Sequence, residues 1–239
     1  MFTKSAALYD VIYTARGKDY AREVHQLHHF IQKYKQCPEN RLLDIACGTG
    51  VHIVLLRQFY NYSVEGLDLD EAVLAVTHER YPDLTLHCAD MVNFTLDHQF
   101  DVVTCLFSSI GYVRTVPQLK QAIRNMVQHV NYGGLVIIEP WFGPDNYQVG
   151  YVHAVFVDEP QLKVARMNVS AIENGLSILN FHYLVATPNG VDYFTERHEL
   201  GLFSHDDYIE AMSVSGLETI YDPEGLDGRG LYVGKRPLR

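Results

Sequence analysis

Residues 42–52 read LLDIACGTGVH. An apolar run ends in an acid and passes into two glycines separated by one threonine. Few folds accept that string. The run reads as a buried strand, and the glycines as a turn whose backbone must be approached closely by something else. The flanking sequence agrees, because strand and helix patterns alternate through residue 141. RLLDIAC, SVEGLDL, LTLHC, FDVVTCLFS and LVIIEPW read as five strands. VHIVLLRQF, DEAVLAVTHERY and VPQLKQAIRNMVQHV read as helices between them. Asp70 stands as an N-cap of the second of these, and Asn131-Tyr132-Gly133-Gly134 as the stop signal of the third. Ahead of them, KDYAREVHQLHHFIQKY is the first helix, with Tyr20, Val24, Leu27, Ile31 and Tyr34 on one face. Such alternation implies an α/β fold with a parallel sheet covered on both sides.

The pattern changes after Trp141. Residues 151–203 hold no helix-period segment, and extended runs meet at Asn174-Gly175 and Asn189-Gly190, two hairpin signals. Leu179, Phe181, Tyr183 and Val185 alternate cleanly. A helix, SHDDYIEAMSVSG, and two strands, LETIYDP and GLYVGKR, close the chain. The organisation expected is one α/β domain made of residues 1–150 and 204–239, interrupted at 151–203 by an antiparallel β insertion.

Three acids narrow the ligand. In an open α/β sheet, ligands sit beyond the carboxyl ends of the strands where strand order reverses. A dinucleotide fingerprint fits poorly: Ala46, Gly48 and Gly50 alternate, and Val51 stands where its third glycine belongs. Asp44 would repel a pyrophosphate but suits a cationic amine. Asp68, 20 residues after Gly48, can accept from both ribose hydroxyls. Asp90 can accept from an adenine amino group. Amine, ribose and adenine together describe S-adenosylmethionine.

Composition excludes other classes. The 239 residues carry a formal charge of −10 and no Lys/Arg run, which argues against nucleic acid as partner. No apolar stretch approaches the ~20 residues of a membrane span. Four scattered cysteines and an N-terminus, MFTKSAALYD, without an apolar core suggest a reduced, cytoplasmic protein rather than a secreted one. His25, His28 and His29 have metal-compatible spacing but no matching carboxylate or cysteine set, so no metal is expected.

The string LLDIACGTG…GLDLD…CADM…FDVVTCLFSSIG resembles the class I S-adenosylmethionine-dependent methyltransferases. YDVIYTARGKDY, FSSIGYV, EPW and GRGLYVG are further similar to the N,N-dimethyltransferases of dTDP-linked amino sugars, as in desosamine and mycaminose biosynthesis. The resemblance implies a doubly wound, mostly parallel sheet whose antiparallel insertion forms an acceptor lobe and a possible homodimer contact. It implies a cofactor site of Tyr20, Asp44, Ala46, Gly48, Gly50, Asp68, Leu69, Asp90, Met91 and Phe107. The substrate expected is a small-molecule amine: a nucleotide-linked amino sugar methylated once or twice, or else another natural-product amine. A protein that binds the cofactor without turnover is the third possibility.

The catalytic positions implied are Tyr112, Tyr9 and Glu139. The family commonly has His where Tyr112 stands, and tyrosine, with an ordinary pKa of ~10, is a poor base near neutrality. Tyr112 either orients an amine or is a packed aromatic. Glu139 is a polar wall of the acceptor pocket, a proton acceptor, or a structural carboxylate. Tyr9 and Tyr20 bracket a lid segment, or pack as helix core. Arg229 suits a diphosphate, or pairs with a surface acid. Trp141 stacks on a ring, or fills core beside the insertion.

Overall fold

The computed structural model describes residues 4–239; the first three residues of the N-terminal stretch read above lie outside the described part. The chain opens with a 3-10 turn, Ala6–Leu8, and a helix α1 (Tyr9–Ala15) that the sequence pattern did not announce. Seven residues with Val11, Ile12 and Tyr13 in a row have no helical period of their own. Tertiary contact makes this helix: Ile12 is buried against Val155, Val157, Val164, Phe181, Tyr183 and Val185 of the insertion. Helix α2 (Tyr20–Tyr34) follows, capped by Asp19 accepting from Arg22 N at 2.9 Å.

The alternating elements are β1 (Arg41–Ile45), α3 (Val51–Tyr60), β2 (Ser63–Asp68), α4 (Glu71–Arg80), β3 (Thr85–Cys88), β4 (Phe100–Cys105), α5 (Val116–Gln128) and β5 (Val130–Ile138). Asp70 caps α4 through Ala72 N at 3.1 Å. The stop signal expected at residues 131–134 is overturned. Helix α5 ends with His129 N donating to the carbonyls of Met126 and Val127, and β5 has begun by Val130. The glycines there serve backbone approach instead. A Cβ on Gly134 would stand 2.6 Å from the Asp101 carbonyl, beside a register shift between Phe100 and Val102.

The insertion is a four-stranded meander, β6 (Val152–Glu159), β7 (Leu162–Glu173), β8 (Leu176–Thr187) and β9 (Gly190–Gly201). Asn174 and Gly175 have φ of 52° and 77°, the left-handed pair of a two-residue hairpin. At the next hairpin the turn falls on Pro188-Asn189, and Gly190 already pairs with Thr187. Helix α6 (His205–Val214) starts in a capping box of Ser204 and Asp207. It leads to β10 (Glu218–Asp222) and β11 (Leu231–Lys235).

The main sheet runs β10-β11-β5-β4-β1-β2-β3, parallel except around β11. Its middle strands are mostly apolar because both faces are covered. Leu43, Ile45, Val103 and Cys105 face a core completed by α5 and α6. Leu42, Val102 and Leu135 face one completed by α2 and α3. Strand order reverses between β1 and β4, so a crevice opens at their carboxyl ends.

The N-terminal segment is tied across this crevice by buried charge. Lys18 Nζ lies 2.7 Å from Glu23, whose other contact is His52 Nε2 at 2.8 Å, and Lys18 and Glu23 side chains are 4% and 2% exposed. Burial pushes the Glu23 carboxyl up, but His52 and Lys18 outweigh it and hold it below its ordinary value. Asp10 accepts from Thr49 Oγ1 at 2.6 Å and pairs with Arg80. Removing one partner of a buried pair strands the other charge. Lys18→Met, which keeps the apolar stem, is therefore expected to destabilise the fold by roughly 3 kcal/mol, at the low end for such pairs because His52 still faces Glu23. Urea unfolding of the two proteins measures it.

Candidate active site

Three connected cavities lie along the carboxyl edge of β1, β2, β3 and β4. The first to consider, of about 630 Å³, is lined by Ala46, Gly48, Asp68, Leu69, Asp90, Met91 and Tyr112, and by the hairpin tip Asn174–Leu176. Asp68 organises it. Its Oδ2 accepts from Gly48 N at 3.0 Å and its Oδ1 from Asp70 N at 2.9 Å. Burial raises its carboxyl pKa. Asp90 is held by an Asx turn to Val92 N at 2.9 Å. Gly48 has φ +55° and nothing within 4 Å of a Cβ built on it, so its backbone faces open space.

A small second cavity continues from the first and is lined by Tyr9, Tyr20, Asp44, Ala46, Gly48, His52 and Phe107. Asp44 is 2% exposed and accepts from Thr104 Oγ1 at 2.6 Å. Burial pushes its carboxyl up to about 6. The Tyr20 hydroxyl is buried with no hydrogen-bond partner. A buried acid and an orphaned hydroxyl side by side fit the amino acid end of S-adenosylmethionine: Asp44 for the ammonium, Tyr20 for the carboxylate. Asp68 and Asp90 would then hold ribose and adenine, with Leu69 and Met91 against the base.

A third cavity, of about 620 Å³, lies between the main sheet and the insertion. It shares Tyr9, Ser109 and Tyr112 with the first. Tyr9, Tyr13 and Phe107 form an aromatic cluster there, with Tyr13 edge-on to Phe107 at 4.8 Å. Trp141 donates to Ser177 Oγ at 3.0 Å, which joins it to the insertion while its ring lines the cavity. Arg229 donates to Ser108 Oγ at 2.8 Å, with its guanidinium over Phe107.

Backbone strain marks the same region. Six non-glycine residues of the described chain have left-handed φ. Five of them, Ala46, Phe107, Ser108, Arg114 and Asn174, line these cavities. Such conformations persist where surrounding structure over-determines them, commonly at ligand sites.

A model of the methyltransferase domain family matches residues 42–134. The dTDP-3-amino-3,6-dideoxy-alpha-D-glucopyranose N,N-dimethyltransferase of Streptomyces fradiae is 38% identical over 230 residues, 96% of this chain and 89% of its own. The chain belongs to this methyltransferase family. DesVI of Streptomyces venezuelae has the same fold at a TM-score of 0.91 and 36% identity, covering 98% of both chains. CalS10, an amino pentose methyltransferase from Micromonospora echinaspora solved with S-adenosylmethionine bound, matches at 0.86 and 34% over 96% of each. The methyltransferase uses S-adenosylmethionine as methyl donor, as its strand-end acids suggested.

Two expected site residues do not line these cavities. Gly50 lines none of the three cavities; it caps α3 at φ +74°, where a Cβ would stand 2.9 Å from Thr77 Cγ2. Glu139 stands at the end of β5 and is 1% exposed. Its Oε2 accepts from Phe107 N at 2.6 Å, and burial raises its pKa. That bond holds the loop after β4, while its Oε1 is buried with no hydrogen-bond partner among the described residues. Sequence reasoning passed over Arg16, Arg166, His153 and His198, which all line the third cavity. One signal was available: Val164, Arg166, Asn168 and Ser170 share a strand face, and three of the four are polar.

Asp44 supplies a test of the cofactor assignment. A bound ammonium favours its ionised form, whereas below pH about 6 the ligand-free carboxyl is protonated. Affinity for S-adenosylhomocysteine is expected to fall as pH drops below that value, approaching tenfold per unit. Asp44→Asn should bind weakly and lose that slope. Calorimetric titration between pH 5 and 7.5 reads both.

Proposed function

We propose that this methyltransferase N-methylates the amine of a nucleotide-linked amino sugar. The observation that carries this reading is a concentration of arginine in the acceptor cavity of an acidic protein. Arg16, Arg166 and Arg229 all line it, and no carboxylate among the described residues comes within ion-pair distance of them, Glu139 acting on Arg229 and Asp227 on Arg16 only from farther off. Arg16 stays exposed at the cavity, and partial desolvation with the like charge of Arg229 and of Arg166 pushes it down. Arg166 is 2% exposed, lies over Tyr13 and Phe181, and leaves its buried Nε without a partner. Buried cations are ordinarily paired, and a diphosphate supplies the missing charge in a shape that guanidinium grips with parallel hydrogen bonds. Trp141, Phe142, Tyr147 and Tyr151 add flat surfaces for a base or sugar ring.

S-adenosylmethionine supplies a methyl group already activated by its sulfonium. The protein's task is then alignment and exclusion of water. Tyr9, Ser109 and Tyr112, common to both large cavities, stand where the amine meets the methyl group. Helix α1, held down by Asp10 and the Lys18–Glu23 pair, covers them. The N,N-dimethyltransferase names of the Streptomyces fradiae and Streptomyces venezuelae relatives support two successive transfers. Four free thiols and a nucleotide-linked substrate fit a cytoplasmic enzyme.

Arg229→Ala and Arg166→Met are each expected to raise the KM for a dTDP-amino sugar about 10- to 100-fold, the weight of one or two charged hydrogen bonds. Affinity for S-adenosylhomocysteine should be unchanged, and so should KM for the free amino sugar. Initial rates followed by mass spectrometry decide it. Equal effects on both acceptors would remove the diphosphate and leave a small natural-product amine.

We also infer a homodimer through the outer face of the insertion. Val152 and Phe156 are 73% and 65% exposed there, alongside Met167, Val169, Leu184 and Tyr193 on neighbouring strands. A flat apolar patch of this kind is self-complementary across a two-fold axis. Phe156→Lys should convert the sedimenting species from dimer to monomer; a monomeric parent protein would remove the inference.

A further inference from the structure

Tyr112 stands in the 3-10 turn Ser109–Val113 that follows β4, at the join of the cofactor and acceptor cavities. Its hydroxyl is 2.6 Å from Nδ1 of His198, on β9 of the insertion, 86 residues away. His198 is 1% exposed and packs edge-on to Phe181 at 5.1 Å. Its other ring nitrogen, Nε2, faces Glu196 Oε2 at 4.0 Å. That carboxylate is fixed in turn by Ser5 Oγ at 2.6 Å and by the backbone N–H groups of Lys4 and Ser5.

This arrangement sets the direction of the short bond. A neutral imidazole carries one proton, and the negative charge of Glu196, 4.0 Å from Nε2 and so beyond hydrogen-bond reach, favours placing it there. Nδ1 is then an acceptor, and the Tyr112 hydroxyl must donate to it. A hydroxyl whose hydrogen is so engaged turns only lone pairs toward the cavity. We propose that His198 is a positioning residue for methyl transfer: by holding the Tyr112 proton, it makes Tyr112 Oη the acceptor for an N–H of the substrate amine and so aims the amine lone pair at the methyl group. The proposal rests on the amine-acceptor reading above.

Burial keeps both partners neutral. It pushes His198 down to about 3, with the charge of Arg166 adding to the effect, and pushes Tyr112 well up. The pair therefore orients the amine and does not deprotonate it. The amine enters neutral, its lone pair forms the new N–C bond, and the C–S electron pair stays with sulfur. The product ammonium gives its proton to water.

The test compares Tyr112→Phe, His198→Leu, the double variant, and His198→Asn, whose side chain retains an acceptor near the Nδ1 position. Each is assayed on the dTDP-amino sugar, with S-adenosylhomocysteine binding as the check on folding. Tyr112→Phe and His198→Leu should each lower kcat roughly 100-fold while both KM values hold. The double variant should be no slower than Tyr112→Phe alone, and His198→Asn should recover most of the rate. Losses that multiply in the double variant overturn the proposal. So does a His198→Asn enzyme as slow as His198→Leu, or a loss confined to KM. Should His198→Leu fail to bind S-adenosylhomocysteine, His198→Asn in the Tyr112→Phe background decides: no further loss supports the pair, and an added loss overturns it. A wild-type enzyme that turns over only a free amine sinks the nucleotide-sugar reading separately, and the same variants then read the pair on that amine.

Discussion

The Asp68 carboxylate receives the N–H of Gly48 and the N–H of Asp70, and through them fastens the turn after β1 to the end of β2. Thr77 closes the turn from the side, donating to the Gly48 carbonyl at 2.8 Å while its methyl group fills the space that a side chain at Gly50 would need. The left-handed backbone at Ala46 is tolerable only because this clamp leaves it no alternative. Everything downstream depends on that turn. It sets where the cofactor cavity begins, brings Asp44 and Tyr20 together, and gives α1 a surface to cover through the Asp10–Thr49 hydrogen bond.

The insertion obeys a different constraint. In β7 the inward positions are Val164, Arg166, Asn168 and Ser170, whereas the outward ones include Met167 and Val169. This reverses the usual polarity of a half-covered strand, in which apolar residues turn inward. The inversion is what a sheet needs when one face must wall a charged cavity and the other is left apolar. Arg166 and Arg229 lie against ring faces, and Arg229 also donates to Ser108 Oγ. Tyr13 and Phe181 flank Arg166, and Phe107 and Trp141 flank Arg229. Aromatic faces stabilise a cation without neutralising it, so its charge stays available to a ligand.

The main sheet was legible because its signals are local. Apolar runs bounded by acids and glycines mark β1, β2 and β4 wherever the rest of the chain goes, and helical spacing marks α2 and α5. The failures are equally physical. Helix α1 has no period and exists through its contact with the insertion. The two glycines after Asn131 have the composition of a helix stop but lie inside β5, where Gly134 lets β4 approach and Gly133 turns its backbone toward Gln36 and Leu238. Glu139 stands at a strand end like Asp44 and Asp68, yet the fold turns it under the loop to bind Phe107 N. A strand-end position fixes where a side chain starts and not which cavity it enters.

The chain alone determined the sheet, its glycine turn, and the acids that call for a cofactor with amine, ribose and adenine, because each follows from short-range pattern and the rule that ligands meet parallel strands at their carboxyl ends. Only the tertiary structure decided which residues share the third cavity. Arg16, Arg166 and Arg229 come from three distant segments, and Tyr112 meets His198 across 86 residues. No local pattern encodes such meetings, since they depend on how the insertion docks over the sheet. That docking is set by buried area and side-chain fit summed over many residues.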